Sequence, residues 1–498
     1  MKPTRTGSMF MRRLSGLAVS LMVFYLLLLI PDPDPVLPAG TNQTPFAWNR
    51  DAYWASLETQ FKDARAVGCD SLAGGIDSAL LKAIRLIDEI SAERRAPDDP
   101  KFGLLETNLL QLAPMIGACS KRLPDFARLF NRVRVAVKNQ SKHWDMNSVE
   151  ARQTTYRLIY GGRAALEELM LQAPDKAWPP IVDGGDEPSQ TPSVEILGVA
   201  LHSGDILVSR GGAPTSALIA RGNDFPGNFS HVALVHADEK SRGLSVIEAH
   251  IERGVVVSSL ADYLADKKLR VMALRLRADL PLLLSDPQLP HKVASWALQE
   301  AKSRHIPYDF EMNYHDHAKQ FCSEVASAAY ERVGIRLWMG ISHLSSRGIT
   351  TWLSAFGAKF FETQEPSDLE YDPQLSVVAE WRDPGVLFQD HADNAVIDVM
   401  LEGADAGEQL GYPRLMLPFA RLAKGYSLAM NVFGRAGLIP EGMSATAAVR
   451  HKAFSRRHAA IKARLLVLAD GFKRRNGYAA PYWELVKLAR KAKNETKS

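Results

Sequence analysis

The chain has 498 residues, 46% of them hydrophobic and 23% charged, and its formal net charge is +4. This length excludes a single typical domain of about 100–200 residues, and the composition is that of an ordinary globular protein. Basic residues concentrate from Arg450 onward. Because no nucleic-acid motif accompanies them, we expect a solvated helix face or a membrane-proximal patch and no nucleic-acid partner.

The N-terminus combines a basic flank with an apolar run. Residues 1–13 carry four basic and no acidic side chains, and an uncharged apolar run of 17 residues extends from Leu14 to Ile30. This pattern predicts a helix that anchors the chain in a membrane, with the N-terminus inside. No clean cleavage site follows, so we favour an uncleaved signal anchor over a cleaved signal peptide. Either alternative places most of the chain outside the cytoplasm.

Residues 46–175 follow a proline-rich spacer that completes the segment 1–45. They contain four or five stretches with apolar residues at spacings of three and four, which predicts a helical bundle. Nothing in this bundle is typical of a catalytic site, so we interpret it as a spacer or as the binding site of a protein partner. Cys69 and Cys119 both lie in it, and the sequence leaves open whether they form a disulfide or stay unpaired.

Residues 176–194 have the composition of a linker. Short β-like runs follow, including GDILVSR, HVALVHAD, LSVIEAH, GVVVSSL and RVMALRLR, and they predict a small, mostly antiparallel sheet. Two helical stretches come after them, and from residue 386 to 498 the chain is again helical and basic. The predicted class is α+β, with a central domain over residues 195–385 between helical N- and C-terminal regions.

Cys322 begins a helical stretch, CSEVASAAY, that follows a loop. A lone cysteine is more often a buried packing residue than a nucleophile. At the start of a helix, however, free backbone N–H groups favour a thiolate and an oxyanion, so Cys322 is a candidate nucleophile. The metal alternative rests on His315, Asp316 and His317, but neighbouring positions do not form a pre-organised ligand set. We expect no metal and no other cofactor.

A histidine base would have to reach this cysteine. His231 opens a predicted strand after a loop, which would place its ring at a cleft. Glu248 and His250 lie two residues apart on the next strand, and one of the two possible hairpin registers puts them on the face of His231. Glu248, flanked by apolar residues, is the first candidate to orient His231, and His250 is the second.

These stretches, together with IPYDFEM and EPSDLEYDPQLSVVAEW, resemble the circularly permuted papain-like cysteine hydrolases, the YiiX-type relatives of the NlpC cell-wall peptidases. The resemblance covers about residues 195–385. It implies a permuted papain-like fold in which Cys322 is the nucleophile, His231 the base and Glu248 the third polar residue. It further implies that Tyr308 lines the site and contributes to oxyanion binding.

The leading functional hypothesis is an envelope cysteine amidase or peptidase that acts on peptides, including those of peptidoglycan. The first alternative is a lipid-directed acyltransferase or esterase, and the second is a non-catalytic scaffold tethered to the inner membrane. The shape of the cleft discriminates between substrates. An open polar groove would favour a peptide, whereas a deep apolar slot beside the membrane anchor would favour a lipid.

Overall fold

The computed structural model describes residues 5–33, 43–47, 52–173, 181–238, 243–433 and 435–496, with backbone only for 5–14, 52–55 and 183. The central region is a seven-stranded antiparallel sheet between helical regions, which confirms the predicted α+β class. The boundaries proposed between the domains stay predictions. Within the described residues, no helix combines the length and the apolar character needed to span a bilayer.

The N-terminal region is helical. Asp99 accepts a hydrogen bond from the Lys101 backbone N–H, and Pro100 occupies the first helical position, so sequence and structure agree on where the fourth helix begins. Cys69 and Cys119 are joined by a disulfide. The helices are α1 (Arg5–Leu28), α2 (Ala52–Val67), α3 (Cys69–Ser91), α4 (Pro100–Ala118), α5 (Leu123–Ser141), α6 (Val149–Thr155) and α7 (Gly161–Gln172).

The sheet has the strand order β1-β11-β8-β4-β5-β6-β7. The predicted linker contributes β1, which pairs with β11, and β2–β3 and β9–β10 form two small ribbons. The strands are β1 (Ile181–Asp183), β2 (Ser193–Ile196), β3 (Val199–His202), β4 (Ile206–Gly211), β5 (His231–Ala237), β6 (Leu244–His250), β7 (Gly254–Ser259), β8 (Lys268–Leu276), β9 (Ser342–His343), β10 (Glu362–Thr363) and β11 (Leu375–Arg382).

Helices cover the sheet and continue to the C-terminus. The helix that begins at Cys322 packs Val325, Ala326 and Ala329 into the core formed with the sheet. The helices are α8 (Pro214–Arg221), α9 (Leu260–Ala265), α10 (Pro281–Ser285), α11 (Leu289–Ser303), α12 (Cys322–Glu331), α13 (Arg347–Phe356), α14 (Pro384–Asp405), α15 (Leu417–Val432), α16 (Ala445–Asn476) and α17 (Tyr482–Glu495).

A buried ionic cluster joins the three regions. Glu167 of α7 is fully buried and accepts hydrogen bonds from Arg270 of β8 (Nη1–Oε1 2.5 Å) and Arg382 of β11 (Nη1–Oε1 3.1 Å). His391 of α14 lies 3.3 Å from its second oxygen. Burial opposes the ionised form, yet the surrounding cations hold the pKa of Glu167 well below its ordinary value. The bundle, the sheet and the C-terminal helices therefore share one set of buried charges.

Candidate active site

The pairing of β5 with β6 sets the register of the candidate site. Ala233 pairs with Glu248, so His231, Glu248 and His250 lie on one face of the hairpin. This is the register that the sequence analysis required. His231 is the first residue of β5 and Cys322 the first residue of α12, as expected. Both line one cavity of about 1460 Å³, together with Glu248, His250 and Tyr308.

Glu248 lies between the two histidines. Its Oε2 is 2.7 Å from Nε2 of His231, its Oε1 is 3.0 Å from Nε2 of His250, and Ser258 Oγ donates to Oε1 at 2.7 Å. Burial opposes the charge of Glu248, but the hydrogen bonds of His231 and His250 hold its pKa well below the ordinary range. A carboxylate can only accept hydrogen bonds, so we assign the proton of each histidine to Nε2.

The two histidines differ at their other ring nitrogen. In His250, Nδ1 is 3.1 Å from the guanidinium of Arg253, which can only donate. In His231, Nδ1 makes no hydrogen bond with any described residue and is left as a basic nitrogen in the cavity. Burial lowers the pKa of His231, against the opposing effect of Glu248, so this base is neutral at neutral pH. The geometry thus favours His231 over His250 as the proton acceptor.

Cys322 is the free cysteine, since the other two are bonded to each other. Its side chain is 4% exposed, and its Sγ donates to the Ser230 carbonyl at 3.8 Å. Burial raises the pKa of the thiol to about 12. This corrects the expectation of a thiolate at the helix N-terminus, because desolvation outweighs the backbone N–H groups there. No hydrogen bond joins Sγ to His231 among the described residues, although Ser230 is the neighbour of that histidine.

Tyr308 lines the same cavity, as the resemblance implies. Gly254, with a φ of +70°, lets the loop before Tyr308 approach β7: a Cβ at this position would collide with the Ile306 carbonyl. The Val255 N–H donates to the same carbonyl at 2.9 Å and fixes the loop. Burial raises the pKa of Tyr308 well above its ordinary value, so its hydroxyl remains a hydrogen-bond donor at neutral pH.

Two groups of cavity residues were missed by sequence reasoning. Glu365 is buried, its Oε2 has no hydrogen-bond partner in the described part of the chain, and burial raises its pKa well above the ordinary value. A neutral carboxyl of this kind can donate a proton to a ligand. The C-terminal region supplies the second group, including Phe419 of α15, Ile439 of the loop after it and His451 of α16. No local pattern in the sequence indicates that these distant residues meet Cys322.

His315, Asp316 and His317 do not converge on a common point: His317 contacts Glu324 and Glu331 instead. Over the described ranges, no group of three histidine, cysteine, aspartate or glutamate side chains is arranged to hold a metal ion.

The contacts of Asp205 indicate a structural role. Its side chain is buried, accepts a hydrogen bond from the His202 N–H at 2.8 Å and forms an ion pair with Arg275 at 2.8 Å.

The geometry can be compared with known protein families. Residues 200–379 match the family of permuted papain-like amidase enzymes, the YaeF/YiiX or C92 family. The match indicates a papain-like cysteine amidase or peptidase, and we call the matched residues the amidase segment. It contains β5, β6 and α12 but neither the N-terminal helices α2–α7 nor the C-terminal helices α14–α17. Comparison of the chain with curated proteins and with solved structures gave no match.

Proposed function

We propose that the chain hydrolyses amide bonds through a covalent acyl-enzyme on Cys322, with His231 as the base and Glu248 as the residue that orients it. The observation that carries this proposal is the single cavity that holds the free thiol and a histidine whose Nε2 is bonded to a buried carboxylate. The family match over the amidase segment supports amide hydrolysis as the chemistry.

The reaction begins from a neutral thiol. Sγ turns away from the Ser230 carbonyl and gives its proton to Nδ1 of His231 while it attacks the carbonyl carbon of the amide. The C–N bond then breaks, and the amine leaves with the proton from His231, which yields a thioester on Cys322. Water attacks the thioester, His231 accepts the proton of that water, and the carboxylic acid and the thiol are released. To Tyr308, which lines the same cavity, we assign the donation of a hydrogen bond to the oxyanion.

Peptides, including those of peptidoglycan, were the first substrate class expected, and lipids were the alternative. The cavity walls favour the alternative. The C-terminal region adds apolar side chains such as Met416, Phe419, Ile439 and Met443 to the wall, so this part of the cavity suits an apolar substrate group. Anchoring of the chain in the inner membrane and an envelope location remain part of the proposal, supported by the apolar run from Leu14 to Ile30.

The test uses a thiol-directed activity probe on the full chain, with the labelled peptide identified by mass spectrometry. We expect labelling at Cys322 and its loss in Cys322→Ala, with unchanged circular dichroism. Because any free thiol reacts to some degree, the decisive comparison is His231→Gln, which should slow labelling and abolish turnover. The matched control is His451→Gln, another histidine of the same cavity. Equal loss in the control, or normal turnover in His231→Gln, would overturn the assignment.

A further inference from the structure

Helix α15 carries an apolar stripe that faces solvent. Phe419, Leu422 and Tyr426 follow one another at helical spacing and Phe433 directly follows the helix; they are 60%, 60%, 54% and 77% exposed. The opposite side of the helix is covered, since Ala420 and its neighbours pack against the core formed with α16. Contiguous exposed apolar surface of this kind marks a binding face.

The end of α1 lies beside this stripe. The guanidinium of Arg421 in α15 donates to the carbonyls of Leu27 (3.1 Å) and Ile30, and it lies 3.4 Å from Asp32. Residues 21–24 of α1 are all between 50% and 64% exposed, so this helix presents apolar groups on every side. An α-helix that is apolar all round and not covered by protein is typical of a lipid environment. We call α1 from Leu17 onward, together with the α15 stripe, the apolar face.

The charged side chains of α15 and its flanking residues are basic, and Asp32, which lies beside Arg421, is an acidic neighbour of the apolar face. Residues 409–440 contain no aspartate or glutamate, whereas Arg414, Arg421, Lys424 and Arg435 are basic. Apolar side chains flanked by basic ones are the composition of a surface that meets anionic lipids. A face that paired with a second copy of itself would bring these like charges together, which disfavours that alternative.

The catalytic cavity opens on this face. Met416, Phe419 and Leu438 line the cavity and are at the same time 47%, 60% and 75% exposed. Cys322 and His231 line the same cavity. One cavity is therefore lined both by exposed apolar residues near α15 and by the candidate nucleophile. We call the part of its wall formed by Met416, Phe419 and Leu438 the apolar path.

We propose that the chain docks on an anionic bilayer through the apolar face and draws the acyl chain of an amide-linked lipid into the cavity. This inference rests on the amidase function proposed above. Cys322 Sγ bonds to the acyl carbonyl carbon, the C–N bond breaks, and the amine departs with the proton held by His231. Water then resolves the thioester, so the products are a free amine and a fatty acid.

The first test places the full chain in vesicles of phosphatidylcholine and phosphatidylglycerol that contain a lipid with a photoreactive acyl chain. We expect lipid adducts on α15 peptides as well as on α1, and none on the exposed apolar residue Leu284 of α10, which is 70% exposed. Adducts confined to α1, or adducts on α15 no more frequent than on the peptide of Leu284, would overturn docking through this face.

The second test compares palmitoyl and acetyl amides of one aminocoumarin in the same vesicles. Because the acyl chain would be buried along the apolar path, the palmitoyl amide should have a kcat/KM at least about ten-fold higher. Leu422→Gln with Tyr426→Gln should lower the palmitoyl-to-acetyl ratio about ten-fold, whereas Leu284→Gln should leave it unchanged.

The outcomes separate this inference from the amidase function. Equal turnover of the two amides by an enzyme that loses activity in Cys322→Ala would overturn the lipid substrate and retain the amidase. Absence of turnover for both amides, without labelling of Cys322, would overturn the amidase and with it the lipid substrate. In that case lipid adducts on α15 would still establish the docking face.

Discussion

Replacement of Glu248 by glutamine is the sharpest test of how the candidate site works. Glu248 is 2% exposed and accepts hydrogen bonds from two histidines and from Ser258. Glutamine has nearly the same shape, so the hairpin and the cavity should be preserved. What the substitution removes is the negative charge that fixes the Nε2 proton of His231 and stabilises its protonated form.

The expected fall in kcat/KM of Glu248→Gln follows from the loss of one charged hydrogen bond. The contact between His231 Nε2 and Glu248 Oε2 is 2.7 Å long, and hydrogen bonds to charged groups contribute about 1.5–3 kcal/mol. If this contribution is realised when His231 becomes protonated in the transition state, kcat/KM should fall roughly 10- to 150-fold. His250→Gln is the matched control. It removes the other histidine that contacts the same carboxylate and leaves His231 in place, and we expect a loss within about five-fold.

The pH dependence gives a second, independent readout. Burial lowers the pKa of His231, and Glu248 acts in the opposite direction. Without the carboxylate, the pKa of His231 should fall further. The base must be neutral to accept a proton, so activity is lost when the pH drops through this pKa. The acid limb of the kcat/KM profile should therefore move to lower pH in Glu248→Gln and should stay in place in Ser258→Ala, which keeps the charge.

The assay is hydrolysis of the acetyl aminocoumarin amide over a pH series, with thermal unfolding as a check on the fold. Unchanged kcat/KM in Glu248→Gln would refute the role of Glu248. A larger loss in His250→Gln than in Glu248→Gln would transfer the orienting role to His250. An acid limb that moves upward would show that Glu248 does not raise the pKa of the base.

Four further predictions concern other parts of the molecule. Because burial raises the pKa of Cys322 to about 12, alkylation by iodoacetamide, followed by mass spectrometry, should rise about ten-fold per pH unit between about pH 7 and 9. Glu167→Ala removes a buried carboxylate that Arg270 and Arg382 share, so that only Asp390 and Glu380 still pair with them, and should lower the free energy of unfolding in urea by about 3–5 kcal/mol. Cys119→Ser opens a disulfide that spans 50 residues and should cost about 2–4 kcal/mol in the same assay without slowing the labelling of Cys322. Glu365→Leu should lower kcat at least about ten-fold, whereas Glu365→Gln, which keeps a neutral donor, should lower it less than about three-fold.

Controls distinguish these effects from general damage. Arg128→Ala removes an exposed ion pair with Asp125 and should change the unfolding free energy by less than about 1 kcal/mol. An equal loss of unfolding free energy in Arg128→Ala and Glu167→Ala would show that the buried cluster contributes no more to stability than an exposed ion pair. A plateau of alkylation near neutral pH would show that the Cys322 thiol is already ionised. Identical kinetics for the two Glu365 variants would exclude a donor role for Glu365.

The starts of β5 and α12 in the amidase segment could be predicted because neighbouring residues in the sequence determine them. His231 follows a loop and opens a run of buried strand residues, and Cys322 follows a loop and opens a helix. The pairing of the hairpin could be reduced to two registers but not decided, because alternation along a strand specifies only which residues share a face. The structure has the register that pairs Ala233 with Glu248.

The protonation state of Cys322 could not be predicted correctly. Helix position is visible in the sequence and favours a thiolate, whereas burial depends on side chains that are distant along the chain. The sulphur is covered from several directions, and desolvation dominates its pKa. The pairing of β1 with the sheet could not be predicted either. A three-residue strand inside a Gly- and Pro-rich stretch is too short to show the alternation that indicates a strand.

In the function proposed above, the C-terminal region determines what kind of substrate the cavity accepts. The amidase segment supplies Cys322, His231 and Glu248, but Met416, Phe419 and other apolar wall residues come from outside it. The reacting groups fix which bond is cleaved, while the wall fixes which molecules bring that bond into reach. The same catalytic residues with a polar wall would accept peptides as readily as acyl amides. Selectivity in this chain should therefore respond to substitutions in α15 that leave the catalytic residues untouched, since Phe419 of the apolar path belongs to that helix.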